Sequence, residues 1–379
     1  MEVYFDNAST SFPKPKIVAD SIYNYLINVG GNANRSNHSH SLTSGRELLK
    51  ARENIASFFN YNKSSNVIFT NNITTSLNML IKGLLKNGDH IITSTMEHNS
   101  TLRPLNDCIR TLNVELDIVE ASPLGFISVE SIKKSIKKNT KLIILSHASN
   151  VTGSIQNLND IGSICKQLNI FFIIDSAQSA GVIDVDMIEL NANAVAFTGH
   201  KSLLGPQGIG GFVIDDRLNE ACSPILSGGT GSLSYSMEQP NYLPDKFECG
   251  TLNMPGIIGL SSAIDFINKE GTDTIKQKVK FLRESLFDGL SNIDKLLIYG
   301  AKSNSTSCIS LNYKNVDPSE FSYYLSENGI KNRSGLHCAP LAHKTINTYP
   351  TGTVRLSLSY FNSIEEINYT LSTINKFNP

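Results

Sequence analysis

The stretch that decides the fold is Thr198-Gly199-His200-Lys201, followed by Gly205-Pro206-Gln207-Gly208-Ile209-Gly210-Gly211. An apolar run, Ala192 to Phe197, leads into it, and a second, Ile209 to Ile214, leaves it. Both read as buried strands. A lysine on a glycine-rich turn between two such strands is not in the setting of a solvated surface charge. Its amine is nearly all protonated at neutral pH and a poor nucleophile. Desolvation and cationic neighbours lower the pKa of such an amine and let it form a Schiff base. The plainer reading is a lysine that closes a loop, and the stretch alone leaves both open.

Upstream, the same alternation recurs. Strands are predicted at Val67 to Thr70, Ile91 to Thr95, Leu116 to Val119, Leu142 to Ser146 and Phe171 to Asp175, with helical segments between most of them. One such helix carries Leu77, Leu80, Ile81, Leu84 and Leu85 on one face, and Gly88 is expected to stop it. Strands alternating with helices predict βαβ units and a mostly parallel, seven-stranded sheet in an α/β fold. Leu142-Ile143-Ile144-Leu145 and Phe171-Phe172-Ile173-Ile174 are apolar throughout, as expected when helices cover both faces. Further helices are predicted at about 16 to 28 and 43 to 59. From Ser227 to Pro255 the chain reads as loop, then as one long helical stretch from about Gly256 to Asn292, then as strand, helix, loop, strand and helix. The expected division is a large α/β domain at 15–255 and a smaller α+β domain at 256–379, with residues 1–14 returning to it.

Composition excludes several classes. The 379 residues carry a formal net charge of -1, with 40% hydrophobic and 18% charged residues. No basic stripe stands out, which argues against nucleic acid as the main partner. No apolar run reaches the ~18 residues of a membrane span, and no export leader is recognisable. Cysteines at 108, 165, 222, 249, 308 and 338 form no C-x-x-C pair, so no metal site is expected. Free thiols suit a reducing cytoplasm.

Ligands of open parallel sheets sit beyond the carboxyl ends of the strands. Those ends gather Asn71 to Thr75, Glu97-His98-Asn99, Ser146 to Asn150, Asp175 to Gln178 and Thr198 to Lys201. Asp175 follows four large apolar residues, where a carboxylate needs a cationic partner or serves as a helix cap. Thr74 and Thr75 stand at a helix mouth, which favours a phosphate or simple capping. His98 reads as a core histidine or as a flat ring against a cofactor. A lysine, an acid one βα unit before it and a phosphate-ready helix mouth point to pyridoxal phosphate, whose protonated ring is an electron sink.

Asp175-Ser176-Ala177-Gln178, Thr198-Gly199-His200-Lys201 and Phe247-Glu248-Cys249-Gly250-Thr251-Leu252-Asn253 resemble the class V, fold type I pyridoxal-phosphate enzymes. Arg333-Ser334-Gly335-Leu336-His337-Cys338-Ala339-Pro340 resembles the Suf-type cysteine desulfurase and selenocysteine lyase group. The resemblance runs from Phe5-Asp6-Asn7-Ala8 to Phe361-Asn362. It implies that Lys201 carries the cofactor, Asp175 pairs with the pyridinium, Gln178 bonds the ring oxygen and His98 stacks on the ring. It further implies a phosphate held by Thr74, Thr75, Thr198 and His200, and by Thr251 of a second subunit, hence a homodimer. Asn150 would sit beside cofactor and substrate. Arg355 would bind the substrate carboxylate, with Arg333 and Arg35 lining the same pocket. Cys338 matches the sulfur-accepting cysteine, and His337, Arg333 or the cofactor would favour its thiolate. The implied substrate is L-cysteine or L-selenocysteine, with a protein sulfur acceptor. A class V aminotransferase or β-lyase and a sulfur-delivery scaffold are the alternatives. The chain departs from the pattern at Asn34, Ser76, Leu77, Leu336 and Phe361.

Overall fold

The computed structural model describes residues 1–33 and 36–379. Its strands, in chain order, are β1 (Val3–Tyr4), β2 (Val67–Thr70), β3 (His90–Ser94), β4 (Glu115–Val119), β5 (Thr140–Ser146), β6 (Phe171–Asp175) and β7 (Ala194–Thr198). They continue with β8 (Gly210–Ile214), β9 (Leu296–Tyr299), β10 (Cys308–Tyr313), β11 (Ile330–Lys331), β12 (Arg333–Gly335) and β13 (Thr353–Ser357).

A seven-stranded sheet has the order β2-β8-β7-β6-β5-β3-β4. It is parallel except for β8, which runs antiparallel to both β7 and β2. The reason lies in the Lys201 stretch. A parallel return needs a crossover of a dozen or more residues, usually a helix. The link between β7 and β8 contains no helix, so the chain doubles back beside β7. Gly211 permits the close fit: a Cβ there would lie 2.3 Å from the Ile68 carbonyl oxygen and 2.6 Å from the Phe197 ring.

The all-apolar strands are buried on both faces. Ile143, Leu145, Phe172 and Ile174 belong to one core. Leu142, Ile144, Phe171 and Ile173 belong to the other. A four-stranded antiparallel sheet, β12-β13-β10-β9, forms a second layer, and β1 pairs in parallel with β11. A separate core joins Val3 and Phe5 to Ile309, Leu311, Phe321, Val354 and Leu356.

Several expectations differ from what is found. The helical stretch after the loop region is two helices, Met254–Glu270 and Thr272–Ser291, split at Gly271 with φ +86°. The first of these, expected in the smaller unit, packs Ile257, Leu260, Ile264 and Ile267 into the core of the large sheet. The helix Ile73–Leu84 stops before Gly88. Gly88, at φ +80°, instead sits in a turn where Asp89 Oδ2 accepts from the Lys86 N–H at 2.8 Å. The helix expected from 43 begins at Ser39, because His38 caps it by accepting from the Ser41 N–H. The first helix, Lys16–Asn24, passes into a π-turn, Tyr25–Val29. Among the described residues no helix is long and apolar enough to cross a membrane.

Candidate active site

β2, β3, β5, β6 and β7 run in one direction, so their carboxyl ends share one edge of the sheet. A cavity of about 190 Å3 opens there. Thr74, His98, Asn150, Asp175, Gln178, Thr198, His200 and Lys201 line it. The structure therefore brings together eight side chains drawn from five separate stretches.

Asp175 ends β6 and is 4% exposed. Its Oδ1 accepts from the Ala177 N–H at 2.9 Å. Burial raises its pKa above the ordinary carboxylate value, opposed by that hydrogen bond and by Lys201. Lys201 is half-buried in the β7–β8 link. Burial lowers the pKa of its amine, Asp175 works against the shift, and Arg355 and Arg333 add to it. This is the environment that turns an ammonium toward a nucleophilic amine.

His98 caps the helix Asn99–Leu112, its Nδ1 accepting from the Ser100 N–H at 3.0 Å. Burial, then the cations Lys201, Arg333 and Arg355, lower its pKa to about 4. At neutral pH it presents an uncharged ring. His200 is likewise lowered to about 4 by burial and by Lys201 and Lys14. Gln178 donates its amide to the Ala8 carbonyl at 3.1 Å.

Two arginines stand beside the cavity. Arg355, on β13, is 1% exposed. It donates to the Asn150 carbonyl at 3.0 Å, to Asp6 Oδ1 at 3.0 Å and to Ser9 Oγ at 2.9 Å. Arg333, on β12, donates to the same Ser9 hydroxyl at 3.3 Å. Its Nη2 lies 3.9 Å from Cys338 Sγ. Cys338 is the exposed cysteine of the set. The segment around it is shorter than a loop from 335 to 340, because β12 ends at Gly335 and a helix starts at Pro340. His337 does not face the thiol. Its ring is buried and its Nε2 lies 3.1 Å from the Thr353 carbonyl.

Thr75 and Thr251 lie elsewhere, bordering an adjacent cleft of about 130 Å3. Arg35 and Asn34 lie outside the described residues. The sequence reading gave no role to Asp6, Ser9, Lys14 or Glu97. Lys14 Nζ donates to the His200 carbonyl at 2.8 Å, one residue before Lys201. Glu97 is fully buried and accepts from Ser94 Oγ at 2.6 Å and from the Ser146 N–H and Oγ at 2.9 and 2.8 Å. Its position at a strand end beside His98 was the available signal.

The donor set fits an anionic, cationic-ring cofactor. Among the described residues, Thr198 Oγ1 and His200 Nδ1 are buried without a partner, and both residues line the cavity together with Thr74 of the helix N-terminus. Such a terminus favours a phosphate. Asp175 offers a carboxylate short of partners, suited to a pyridinium N–H, and Lys201 supplies the amine.

The profile of the Aminotransferase class-V family matches residues 3–370. The chain belongs to the class V aminotransferase family. Members of this family use pyridoxal phosphate, consistent with the cavity. A probable cysteine desulfurase of Methanothermobacter thermautotrophicus is 34% identical over 379 residues, covering 98% of this chain and 94% of that protein. One from Borreliella burgdorferi is 33% identical, covering 97% of this chain and 89% of that one. The apo structure of the cysteine desulfurase from Thermococcus onnurineus superposes with a TM-score of 0.94 at 31% identity, covering 99% of this chain and 94% of that chain.

Proposed function

We propose that the protein is a pyridoxal-phosphate-dependent cysteine desulfurase, converting L-cysteine to L-alanine and carrying the sulfur on Cys338 as a persulfide for a protein acceptor. One observation carries the reading: an exposed thiol beside a guanidinium sits on a turn hydrogen-bonded to Asn99 and to Asn150, the latter lining the lysine–aspartate cavity suited to the cofactor.

Lys201, Asp175, Gln178, His98, Thr198, His200 and Thr74 would hold the cofactor. When bound, it supplies an aldehyde that condenses with the substrate amine and a ring that takes up electron density. Arg355 would receive the substrate carboxylate, its guanidinium held by Asp6 and Ser9. Asn150 is tied to that arginine through its carbonyl. The Lys201 amine takes the proton from the substrate Cα and returns it, a role that requires the uncharged amine its burial favours. Asp175, whose Oδ1 also accepts from the Ala177 N–H, would pair with the ring nitrogen of the bound cofactor. Neutral His98 offers its face for stacking.

Cys338 then attacks the substrate sulfur as a thiolate, with the Arg333 charge beside it. The new S–S bond forms as the Cβ–S bond breaks. That electron pair stays on Cβ, which takes a proton, and alanine leaves.

The position of Thr251 in a cleft apart from the Lys201 cavity supports a homodimer in which it serves the second copy's phosphate. The six unpaired cysteines support a reducing, cytoplasmic setting. The test is to supply L-cysteine and a dithiol to the pyridoxal-phosphate-loaded protein. Sulfide and alanine in equal amounts are expected. Pyruvate without sulfide would overturn the reading in favour of transamination.

A further inference from the structure

The turn that presents Cys338 is conformationally costly. Gly335, His337 and Cys338 have φ of +107°, +48° and +57°. Glycine takes such angles freely, whereas two consecutive side-chain-bearing residues in the left-handed region require the surroundings to hold them there. Strain of this kind gathers at functional sites.

Four contacts hold this one. The Ala339 N–H donates to the Leu336 carbonyl at 2.8 Å, closing the turn. The Cys338 carbonyl accepts from the Asn99 N–H at 2.8 Å, next to cavity-lining His98. The His337 carbonyl accepts from Asn150 Nδ2 at 2.7 Å. The fourth is the His337 side chain, whose Nε2 reaches the Thr353 carbonyl at 3.1 Å and Thr353 Oγ1 at 3.2 Å. A carbonyl only accepts, so Nε2 carries the proton. Thr353 lies on β13, two residues before Arg355, and its hydroxyl donates to Ser310 Oγ at 3.1 Å. The imidazole is 2% exposed and packs against His343, ring centres 5.4 Å apart. His343 is itself fixed, its Nδ1 2.7 Å from Thr348 Oγ1.

We infer that His337 is a positioning residue: its buried Nε2–H, anchored on Thr353, locks the strained turn so that Cys338 is delivered beside Arg333 in fixed register with Arg355. The inference deepens the desulfurase reading and rests on it for the role of the sulfur. His337 does not line the Lys201 cavity. It acts through the backbone it shares with Cys338. The imidazole and Thr353 link the thiol turn directly to β13, the strand bearing Arg355, beside a second link in which Asn150 joins the His337 carbonyl to Arg355.

The experiment compares His337→Phe and His337→Gln with wild type, all loaded with pyridoxal phosphate. Phenylalanine keeps the ring and loses the donor, and the glutamine amide can return a donor near the Nε2 position. Three quantities are read: sulfide release from L-cysteine, the rate of iodoacetamide alkylation at Cys338 by peptide mass, and the visible-spectrum response to L-alanine. For His337→Phe, kcat for sulfide should fall about 100-fold with little change in KM, as expected for a misplaced nucleophile. Alkylation at Cys338 should slow as Sγ leaves Arg333, and the L-alanine response should match wild type. His337→Gln should recover most of both losses. The inference is overturned if His337→Phe alkylates and releases sulfide like wild type. It is also overturned if the L-alanine response and melting temperature fall in step with sulfide release, or if His337→Gln is as impaired as His337→Phe. If wild type itself releases no sulfide, the desulfurase reading fails, while the alkylation comparison still decides whether His337 positions Cys338.

Discussion

The floor and the rim of this site are built in opposite ways. The floor is set at the carboxyl edge of buried strands, Asp175 ending β6 and Lys201 three residues past β7 in the link that follows, and burial shifts both pKa values. The rim, Cys338, is exposed and held in an irregular turn by side-chain contacts. The difference matches two tasks. Proton transfer at Cα needs a dry amine with an adjusted pKa. Sulfur transfer needs a thiol that both substrate and acceptor can reach. One task calls for a sheet edge, the other for an accessible turn.

That contrast can be broken most severely at the floor. Lys201→Ala should remove both tasks together, with alanine formation reduced on the order of 10³-fold or more and covalent cofactor attachment lost. Reduction with borohydride followed by peptide mapping reads the attachment. Cys338→Ala should separate the two. Sulfide release without added thiol is lost, while the visible spectrum still answers to L-alanine. A Cys338→Ala protein that turns over L-cysteine at the wild-type rate would place the sulfur-accepting group elsewhere.

A third substitution probes what holds the floor's flank. Arg52 and Glu248 form a buried ion pair at 2.5 Å, their side chains 7% and 5% exposed. Glu248 also accepts from the Phe69 N–H at 2.7 Å, fastening the Thr251 segment to β2. Arg52→Ala leaves that carboxylate uncompensated and should cost about 3–5 kcal/mol in urea unfolding.

The smallest expected effect sits behind the cavity. Burial raises Glu97 to about 7, with Ser94 and Ser146 opposing. Its folded pKa lies above its unfolded value, so the cost of charging it is absent in acid, grows as pH rises from about 4.5 and is complete above about 7. Glu97→Gln removes a cost of at most ~3 kcal/mol. Its melting temperature relative to wild type should therefore rise from acid to alkaline pH. A difference independent of pH would show that Glu97 does not titrate in this range.

Sequence reading reached the floor more fully than the rim. Runs such as Phe171 to Ile174 announce buried strands, and their polar terminators Asp175 and Thr198 must then fall on one edge. Lys201 was legible for the same reason. The antiparallel course of β8 was not, because an apolar run carries no direction. It follows from the helix-free link after Thr198. Likewise, the role of Gly271 as a helix break needed its backbone angle. At the rim, Arg333 and Cys338 were recognisable by motif. The sharing of Ser9 by Arg333 and Arg355, and the Asp6 carboxylate behind it, join residues more than 300 positions apart. No periodicity encodes such a contact. His337 read as a candidate partner of the thiol, and the structure turns its ring toward Thr353.

The most direct test of the account is to locate the sulfur. The pyridoxal-phosphate-loaded protein is mixed with one equivalent of L-cysteine in the absence of any reductant, then alkylated and digested. The account predicts one added sulfur atom on the peptide carrying Cys338, with a matching amount of alanine in solution. An added sulfur on Cys249 or another cysteine, or alanine formed with Cys338 unmodified, would contradict it.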